Sequence, residues 1–208
     1  MEFVAIDFET ANEFRSSACA IGFAVVSDNK IVERQQYLIK PPMMYFNPFN
    51  VALHGITEKH VKNEPHFNEL WPSIKCFFEK RLIVAHNASF DISVLRNTLD
   101  EYQVPYPEFD YCCTRIISKA TWPNHVSYAL NHMAAYLGLD FIHHNAEEDA
   151  VACANVLIRA AKELGVKSQL ELAELSKVKA FKTVANTEND DQNHRLYGNY
   201  RGEYLIVF

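Results

Sequence analysis

The chain has 208 residues, which is enough for one ordinary domain or for one domain with a tail. Hydrophobic residues make up 49% of it and charged residues 22%, a balance typical of a globular protein, and no apolar run approaches the roughly 20 residues of a membrane helix. The net charge of −6 argues against a protein that neutralises many phosphates of a duplex, but it leaves room for an enzyme that grips a few nucleotides.

The cysteines argue against two further classes of protein. Their number is odd and no C-x-x-C pair occurs, so we expect neither a disulfide framework nor a zinc ribbon. The N-terminal residues lack the basic start and long apolar stretch of a signal peptide. We therefore expect a cytoplasmic protein with reduced thiols.

Three strands are predicted at the start of the chain. Residues 2–7 are an apolar run that ends on an acid, and residues 18–27 are a second apolar run. A turn signal at residues 28–30 separates the second run from a third strand at residues 31–39. These strands are expected to form an antiparallel meander, which the prolines at 41–42 interrupt.

Helices and short strands alternate from there to about residue 165. Apolar residues at helical spacing predict the helices, and brief apolar runs predict the strands. The predicted elements are a short helix at 57–63 opened by Thr57, a helix at 66–80, a strand at 81–85, a helix at 90–101, a strand running into a helix at 111–120, and helices at 127–137 and 147–164. Three leading strands followed by this alternation indicate an α/β domain with a mixed sheet.

The character of the sequence changes after residue 165. We place one domain at residues 1–165 and a tail or linker at residues 166–208. Within the tail, residues 168–176 are compatible with a helix, residues 186–193 are polar like a linker, and residues 204–208 resemble a strand.

Acidic residues occur at the ends or starts of predicted elements in three places. Asp7 and Glu9 end the first strand and point to the same side, because side chains in a strand alternate with a period of two. Asp91 follows the strand at 81–85. Asn145 is predicted to cap the last helix, with Asp149 in the first turns of that helix and His144 on the loop just before it. Each place alone fits a solvated turn or an acid on a helix dipole. The joint occurrence of all three is much harder to explain in that way.

Four carboxylates and one histidine suit the hydrolysis of a phosphodiester. This reaction is accelerated by two divalent cations about 3.5–4 Å apart, which stabilise the attacking and leaving oxygens. Oxygen ligands favour Mg²⁺ or Mn²⁺, and a histidine can take the proton of the attacking water. The residues predicted to hold two such cations are Asp7, Glu9, Asp91 and Asp149, and the predicted general base is His144.

Three segments resemble the motifs of the DEDDh (DnaQ-like) 3′–5′ exonucleases, a family that includes the proofreading epsilon subunit of bacterial DNA polymerase III. The segments are Asp7-x-Glu9-Thr10, Asn87-Ala-x-Phe90-Asp91 and His144-x-Ala146-x-x-Asp149-Ala150, in the order and spacing of the family. The resemblance covers residues 2 to about 165. It implies a ribonuclease H-like fold, two divalent metal ions and cleavage at 3′ ends that releases nucleoside monophosphates.

The resemblance also implies a substrate site. Phe8 and Thr10 match positions that contact the terminal nucleotide. The residues similar to positions that line the product site are Leu53, His54, Asn87 and Phe90. Histidine rather than tyrosine at 144 implies the "h" branch, and the adjacent His143 is expected to be a surface or loop residue.

The sequence departs from the family in two places. Ala11 and Asn12 follow Thr10 where many members have a glycine-containing turn. Residues 196–208 are similar to the opening of a BRCT module, although a clamp- or polymerase-binding tail is an equal alternative.

We therefore expect a proofreading- or repair-type 3′–5′ exonuclease that acts on the 3′ ends of single-stranded DNA. The expected partners are single-stranded nucleic acid and a DNA polymerase or another replication or repair protein, with no membrane. Two alternatives stay open: an enzyme that trims RNA 3′ ends with the same five residues, and a catalytically silent module that binds nucleic acid.

Overall fold

A computed structural model of the chain describes residues 1–79, 81–140, 142–168, 171 and 181–184. Its strands are β1 (Phe3–Thr10), β2 (Ala18–Ser27), β3 (Lys30–Leu38), β4 (Leu82–Ala85), β5 (Phe109–Cys113) and β6 (Phe181–Val184). Its helices are α1 (Pro48–His54), α2 (Glu58–Val61), α3 (Phe67–Ile74) with a 3₁₀ turn at Lys75–Phe77, α4 (Ala88–Glu101), α5 (Thr114–Thr121), α6 (Leu130–Leu137) and α7 (Ala146–Leu164).

The strands form one mixed sheet in the order β3-β2-β1-β4-β5-β6. The first three strands form an antiparallel meander, β4 and β5 run parallel to β1, and β6 pairs antiparallel with β5. This confirms the predicted α/β fold with three leading antiparallel strands. Because β1, β4 and β5 are parallel, their carboxyl ends meet at one edge of the sheet, and residues that follow them converge there.

Apolar side chains cover both faces of the sheet. Along β1, Val4 and Ile6 face a core that α3 and α4 complete, whereas Phe3 and Ala5 face a second core formed largely by α7. Side chains of one strand alternate between the two faces, so a strand buried on both sides is apolar at nearly every position. This explains why the sequence of β1 is apolar up to its acidic end.

Gly22 of β2 allows α7 to approach the sheet closely. It pairs with Asp7 of β1, and a Cβ atom built at Gly22 would lie 1.9 Å from the carbonyl oxygen of Ala146. No side chain fits there, so only glycine permits the first turn of α7 to cross β2 at this point. The approach places the start of α7 next to the carboxyl end of β1.

Two further contacts hold the start of α7. The side-chain oxygen of Asn145 accepts a hydrogen bond from the backbone N–H of Glu148 at 3.1 Å, which confirms Asn145 as the predicted N-cap. Arg34 of β3 makes ion pairs with both Glu147 and Glu148. Both contacts stabilise the acidic N-terminal turn in the position that the sheet requires.

Most predicted elements are present, and one helix was missed. Strand 18–27 has the predicted bounds, whereas the helix predicted at 127–137 begins only at Leu130 and the one predicted at 66–80 ends its α-helical part at Ile74. The helix that was not predicted is α1, which opens at Pro48, and proline is favoured in the first turn of a helix.

The tail predicted at residues 166–208 contains β6, which adds a strand to the sheet. The features predicted at 186–193 and 204–208, and the BRCT-like segment, lie outside the described residues, as does most of the helix considered at 168–176. The division of the chain at residue 165 stays a prediction. No helix among the described residues is long and apolar enough to span a membrane.

Candidate active site

Three of the predicted acidic residues meet at the carboxyl end of β1. Asp7 and Glu9 project from this strand, and Asp149 projects from the first turn of α7 beside it. One carboxylate oxygen of each residue lies within 4.8 Å of the other two. The close approach of α7 at Gly22 is the reason that residues so far apart in sequence come together.

Asp91, the fourth predicted acid, lies beside this group and is almost completely buried, with 1% of its surface exposed. Its Oδ1 accepts a hydrogen bond from the backbone N–H of Phe8 at 3.0 Å, which ties the first turn of α4 to β1. Asp91 is also close enough to raise the pKa values of Asp7 and Glu9. In the structure, all four predicted acids therefore lie close enough to interact electrostatically.

The four acids resist ionisation as a group. Burial and then repulsion from neighbouring carboxylates hold the pKa of Asp7 well above its usual value and raise that of Glu9 to about 8. Burial also raises the pKa of Asp91, to about 7, and that of Asp149, against the lowering effect of their hydrogen bonds. Like charges that share a buried site are stabilised by bound cations. This set of oxygen donors therefore fits divalent metal ions.

Two adjacent histidines hold Asp149. Nδ1 of His143 lies 2.9 Å from Asp149 Oδ1, and the backbone N–H of His144 donates to Oδ2 at 2.7 Å. The two imidazole rings are stacked, with centroids 3.9 Å apart. His143 is an exposed residue in a turn, as expected, but its side chain also lines the site and contacts a predicted metal ligand.

The ring of His144 faces the same cleft. Within the described part of the chain, neither of its ring nitrogens has a hydrogen-bond partner. Burial and the neighbouring His143 lower the pKa of His144. The imidazole is therefore neutral near pH 7 and has a nitrogen that can accept a proton.

Thr10 is fixed by two residues of α1. Nδ2 of Asn50 donates to the carbonyl oxygen of Thr10 at 2.9 Å and to its hydroxyl at 3.2 Å. Nδ1 of His54 accepts from the backbone N–H of Ile56, so Nε2 carries the proton and donates to the Thr10 carbonyl at 3.1 Å. With both ring nitrogens engaged, His54 holds the loop after β1 and is not available as a base.

These residues line a cleft of about 480 Å³. One wall is formed by α1, where Leu53 is 44% exposed and Phe49 is 70% exposed. Asn87, in the left-handed conformation with φ of 77°, and Phe90 also line the cleft. The remaining lining residues include Arg115, Ala129, Leu130 and the two histidines.

The two aromatic residues predicted to contact substrate differ in what they present to the cleft. Phe8 lines the cleft, but the whole residue is only 2% exposed and its ring packs against Phe67, so it presents little surface to a nucleotide. The ring of Phe90 is partly exposed and lies under the guanidinium of Arg15, 4.3 Å from the ring centroid.

Sequence reasoning missed several residues that line the cleft. They are Phe49, Asn50, His86, Arg115, Ala129, Leu130 and His143. A signal was available for two of them, because the Asn47-Pro48 pair is typical of a helix start and would have placed Phe49 and Asn50 on a helix before the Leu53-His54 segment. Arg115 lies two residues after β5, as Asn87 lies two residues after β4, but this similarity is visible only once β5 is known to run parallel to β4.

The profile of the RNase T exonuclease family matches residues 4–157 of the chain. Among curated proteins, the DNA polymerase III PolC-type of Thermotoga maritima is 31% identical over 218 residues, and the 3′–5′ exonuclease DinG of Staphylococcus epidermidis is 26% identical over 181 residues. These alignments cover 99% and 84% of this chain, but only 16% and 20% of the respective relatives. The chain thus corresponds to a small part of each relative.

Two of the solved structures that share the fold illustrate the likeness. Exonuclease X in complex with 5′ overhanging duplex DNA is 25% identical with a TM-score of 0.68, and the match covers 84% of this chain and 99% of that one. The nuclease domain of 3′hExo, a DEDDh family member bound to rAMP, gives a TM-score of 0.70 at 17% identity and covers 78% of this chain and 92% of that one. At such low identity the second likeness concerns the fold alone.

Proposed function

Since this chain belongs to the DEDDh branch of the exonuclease family, we propose that it is a metal-dependent 3′–5′ exonuclease that removes nucleoside monophosphates from single-stranded DNA. The observation that carries the proposal is the cluster of Asp7, Glu9 and Asp149, with Asp91 beside it and the neutral His144 facing the same cleft. A cluster of partly and fully buried acids beside an unengaged imidazole is suited to hydrolysis.

The four acids are the proposed metal ligands. Their raised pKa values mean that the group gains free energy when positive charge enters the site, and their hard oxygen atoms suit Mg²⁺ or Mn²⁺. When bound, two such ions would supply charge for the phosphate oxygens and lower the pKa of a water molecule. His143 and the backbone of His144 orient Asp149 for this task.

His144 is the proposed general base. Its lowered pKa keeps the ring neutral at pH 7, and its place at the rim of the acid cluster lets it take a proton from water that attacks the phosphorus atom. His143 also faces the cleft, but its Nδ1 is already hydrogen-bonded to Asp149. The two neighbouring histidines therefore have different proposed roles: one orients a ligand, and the other moves a proton.

The α1 wall is the proposed site of the terminal nucleotide. Leu53 and Phe49 present exposed apolar surface on which a base can pack, since bases stack on apolar and aromatic side chains regardless of sequence. Thr10, held by Asn50 and His54, offers a fixed polar group between this wall and the acids. A base on this wall would direct its phosphate toward the carboxylates.

DNA is the proposed substrate, and a role in proofreading or repair is the proposed context. The solved complex of Exonuclease X with DNA and the PolC-type relatives support this choice. A DNA polymerase or another replication protein is the proposed partner. The five cysteines are all unpaired, which supports a reducing, cytoplasmic location.

The test uses 5′-labelled single strands of DNA and RNA with one sequence, incubated with Mg²⁺, Mn²⁺ or EDTA and resolved on a sequencing gel. We expect a ladder that shortens from the 3′ end, faster on DNA, and that disappears in EDTA. Asp149→Asn should remove the ladder, whereas Asp140→Asn, the same change at an exposed position outside the cleft, should keep it. Intact strands in every lane would contradict the proposal, and a faster RNA ladder would overturn the choice of DNA.

A further inference from the structure

Arg115 has a position in the fold that resembles that of the predicted acids. It lies in the first turn of α5, directly after β5, and β5 runs parallel to β4 and ends at the same edge of the sheet. Asp7 and Glu9 lie in the second half of β1 and Asp91 follows β4, and Arg115 lines the cleft that contains Asp7, Glu9 and Asp149. The strand topology that brings the acids together therefore also places Arg115 in their cleft.

The charge of Arg115 is not paired with an acidic side chain among the described residues. The side chain makes no ion pair or hydrogen bond with any residue that the structure describes, and its Nε atom is buried without a partner. A buried N–H that lacks an acceptor is unfavourable, because its hydrogen bond to water has been lost. An anion that enters the cleft would provide the missing acceptor.

Arg115 is also the single lysine or arginine among the described residues that line the cleft. The nearby His86 does not share its role, because Nδ1 of His86 contacts the Thr114 hydroxyl at 2.8 Å and Nε2 contacts the Tyr128 carbonyl at 2.9 Å. A guanidinium carries a permanent charge and presents several N–H groups in a fork that matches phosphate oxygens. A strand of nucleic acid would therefore meet one fixed cation in the cleft.

We propose that Arg115 binds the phosphodiester immediately on the 5′ side of the scissile bond and so holds the strand in register for cleavage. This inference rests on the proposed function. The apolar α1 wall accommodates the terminal base and the acids accommodate the scissile phosphate. The next phosphate lies elsewhere in the same cleft, where Arg115 is the single lysine or arginine among the described lining residues. Arg115 is in this account a substrate-binding residue and not a metal ligand.

The test removes the charge from each partner in turn. One substrate is a natural DNA strand, a second carries an uncharged methylphosphonate at the second linkage from the 3′ end, and a third carries it at the eighth linkage. Initial rates give kcat/KM for the wild type and Arg115→Gln, with Lys119→Gln as the matched control on the exposed face of α5. Arg115→Lys is the second variant, and thermal denaturation verifies that each variant is folded.

For the wild type, methylphosphonate at the second linkage should lower kcat/KM roughly ten- to a hundredfold, the usual effect of a lost charged hydrogen bond. Arg115→Gln should show the same loss on the natural strand and no further loss on the modified one. The slope of log kcat/KM against log salt should fall by about 0.7, as expected for one phosphate contact fewer on a single strand. Arg115→Lys should lie between the two, and Lys119→Gln should match the wild type.

Two outcomes would overturn the inference. If Arg115→Gln cleaves the natural strand as the wild type does, or is equally sensitive to methylphosphonate at the second linkage, Arg115 does not bind that phosphate while the proposed exonuclease stands. If the wild type cleaves no substrate, the proposed function fails and the role of Arg115 fails with it.

Discussion

Gly22→Ala tests whether the close approach of α7 to the sheet assembles the active site. The added Cβ would lie 1.9 Å from the Ala146 oxygen and 2.4 Å from the Glu147 nitrogen, and both are backbone atoms that cannot rotate away. Contacts this short force the first turn of α7 outward by about 1.5 Å before the ordinary contact distance of 3.4 Å returns. Asp149 lies one turn further along the same helix and must move with it.

The displacement should affect activity more than stability. A shift of about 1 Å at a catalytic group costs on the order of a hundredfold in rate, so kcat/KM should fall at least that far. Overpacking of this kind costs about 1–3 kcal/mol of unfolding free energy, which leaves a folded protein at room temperature. The assay combines initial rates on a labelled single strand with denaturant unfolding of the same preparation.

Gly138→Ala is the matched control. Gly138 ends α6 with φ of 66° and has open space around its Cβ position, so alanine there suffers about 1–2 kcal/mol of backbone strain without a clash. Its stability loss should resemble that of Gly22→Ala, while kcat/KM should stay near the wild-type value. Wild-type kcat/KM for Gly22→Ala would refute the argument that this contact sets the position of Asp149.

Three further predictions concern pH, the base and the α1 wall. Glu9 loses its proton near pH 4.5 when unfolded but only near pH 8 when folded, so its contribution to stability is lost as pH rises through this range. The histidines with lowered pKa values make the protein more stable as pH rises, but only below about pH 6.5. In EDTA, Tm should therefore fall between pH 6.5 and 8, and less so in Glu9→Gln; a flat or rising Tm would contradict the electrostatic account. His144→Ala should lower kcat roughly 10²- to 10⁴-fold with little change in KM, whereas equal or larger loss of kcat in His143→Ala would transfer the role of base to His143. Asn50→Ala removes two hydrogen bonds to Thr10, so the free energy of unfolding should drop by about 1–2 kcal/mol and KM should rise. An unchanged KM would show that Thr10 does not take part in substrate binding.

Local sequence was sufficient where a residue's role follows from its own element. Three features that depend only on neighbours in the chain were predicted. They are the placement of Asp7 and Glu9 on one side of β1, the helix cap at Asn145 and the apolar run of β2. The order of the leading strands also followed, because short turns leave consecutive strands little choice but to pair.

Features that depend on contacts distant in sequence could not be predicted. The need for glycine at position 22 exists only because α7 crosses β2 there, and residue 22 is more than a hundred residues from Ala146. His143 and His144 are chemically alike, so motif spacing identified one and left the other as a surface residue, although tertiary structure places both against Asp149 or its cleft. The location of Arg115 at the site can be recognised only when β5 is known to be parallel to β4.

The same limit applies to the start of α1. The prolines indicate an interruption of the strands, whereas Asn47 directly before Pro48 is a contrary signal, because asparagine caps helices. As a result the wall that carries Phe49 and Asn50 was missing from the predicted site, even though its far end, Leu53 and His54, had been assigned through the family resemblance.

The most direct test of the central claim is the identity of the first product released from a single strand labelled at its 3′-terminal nucleotide. With Mg²⁺ present, the wild-type protein should release the label as a nucleoside monophosphate before any longer fragment appears, and Asp7→Asn should release none. Labelled oligonucleotides as first products, or release that persists in EDTA or in Asp7→Asn, would contradict a 3′–5′ exonuclease built on these four acids.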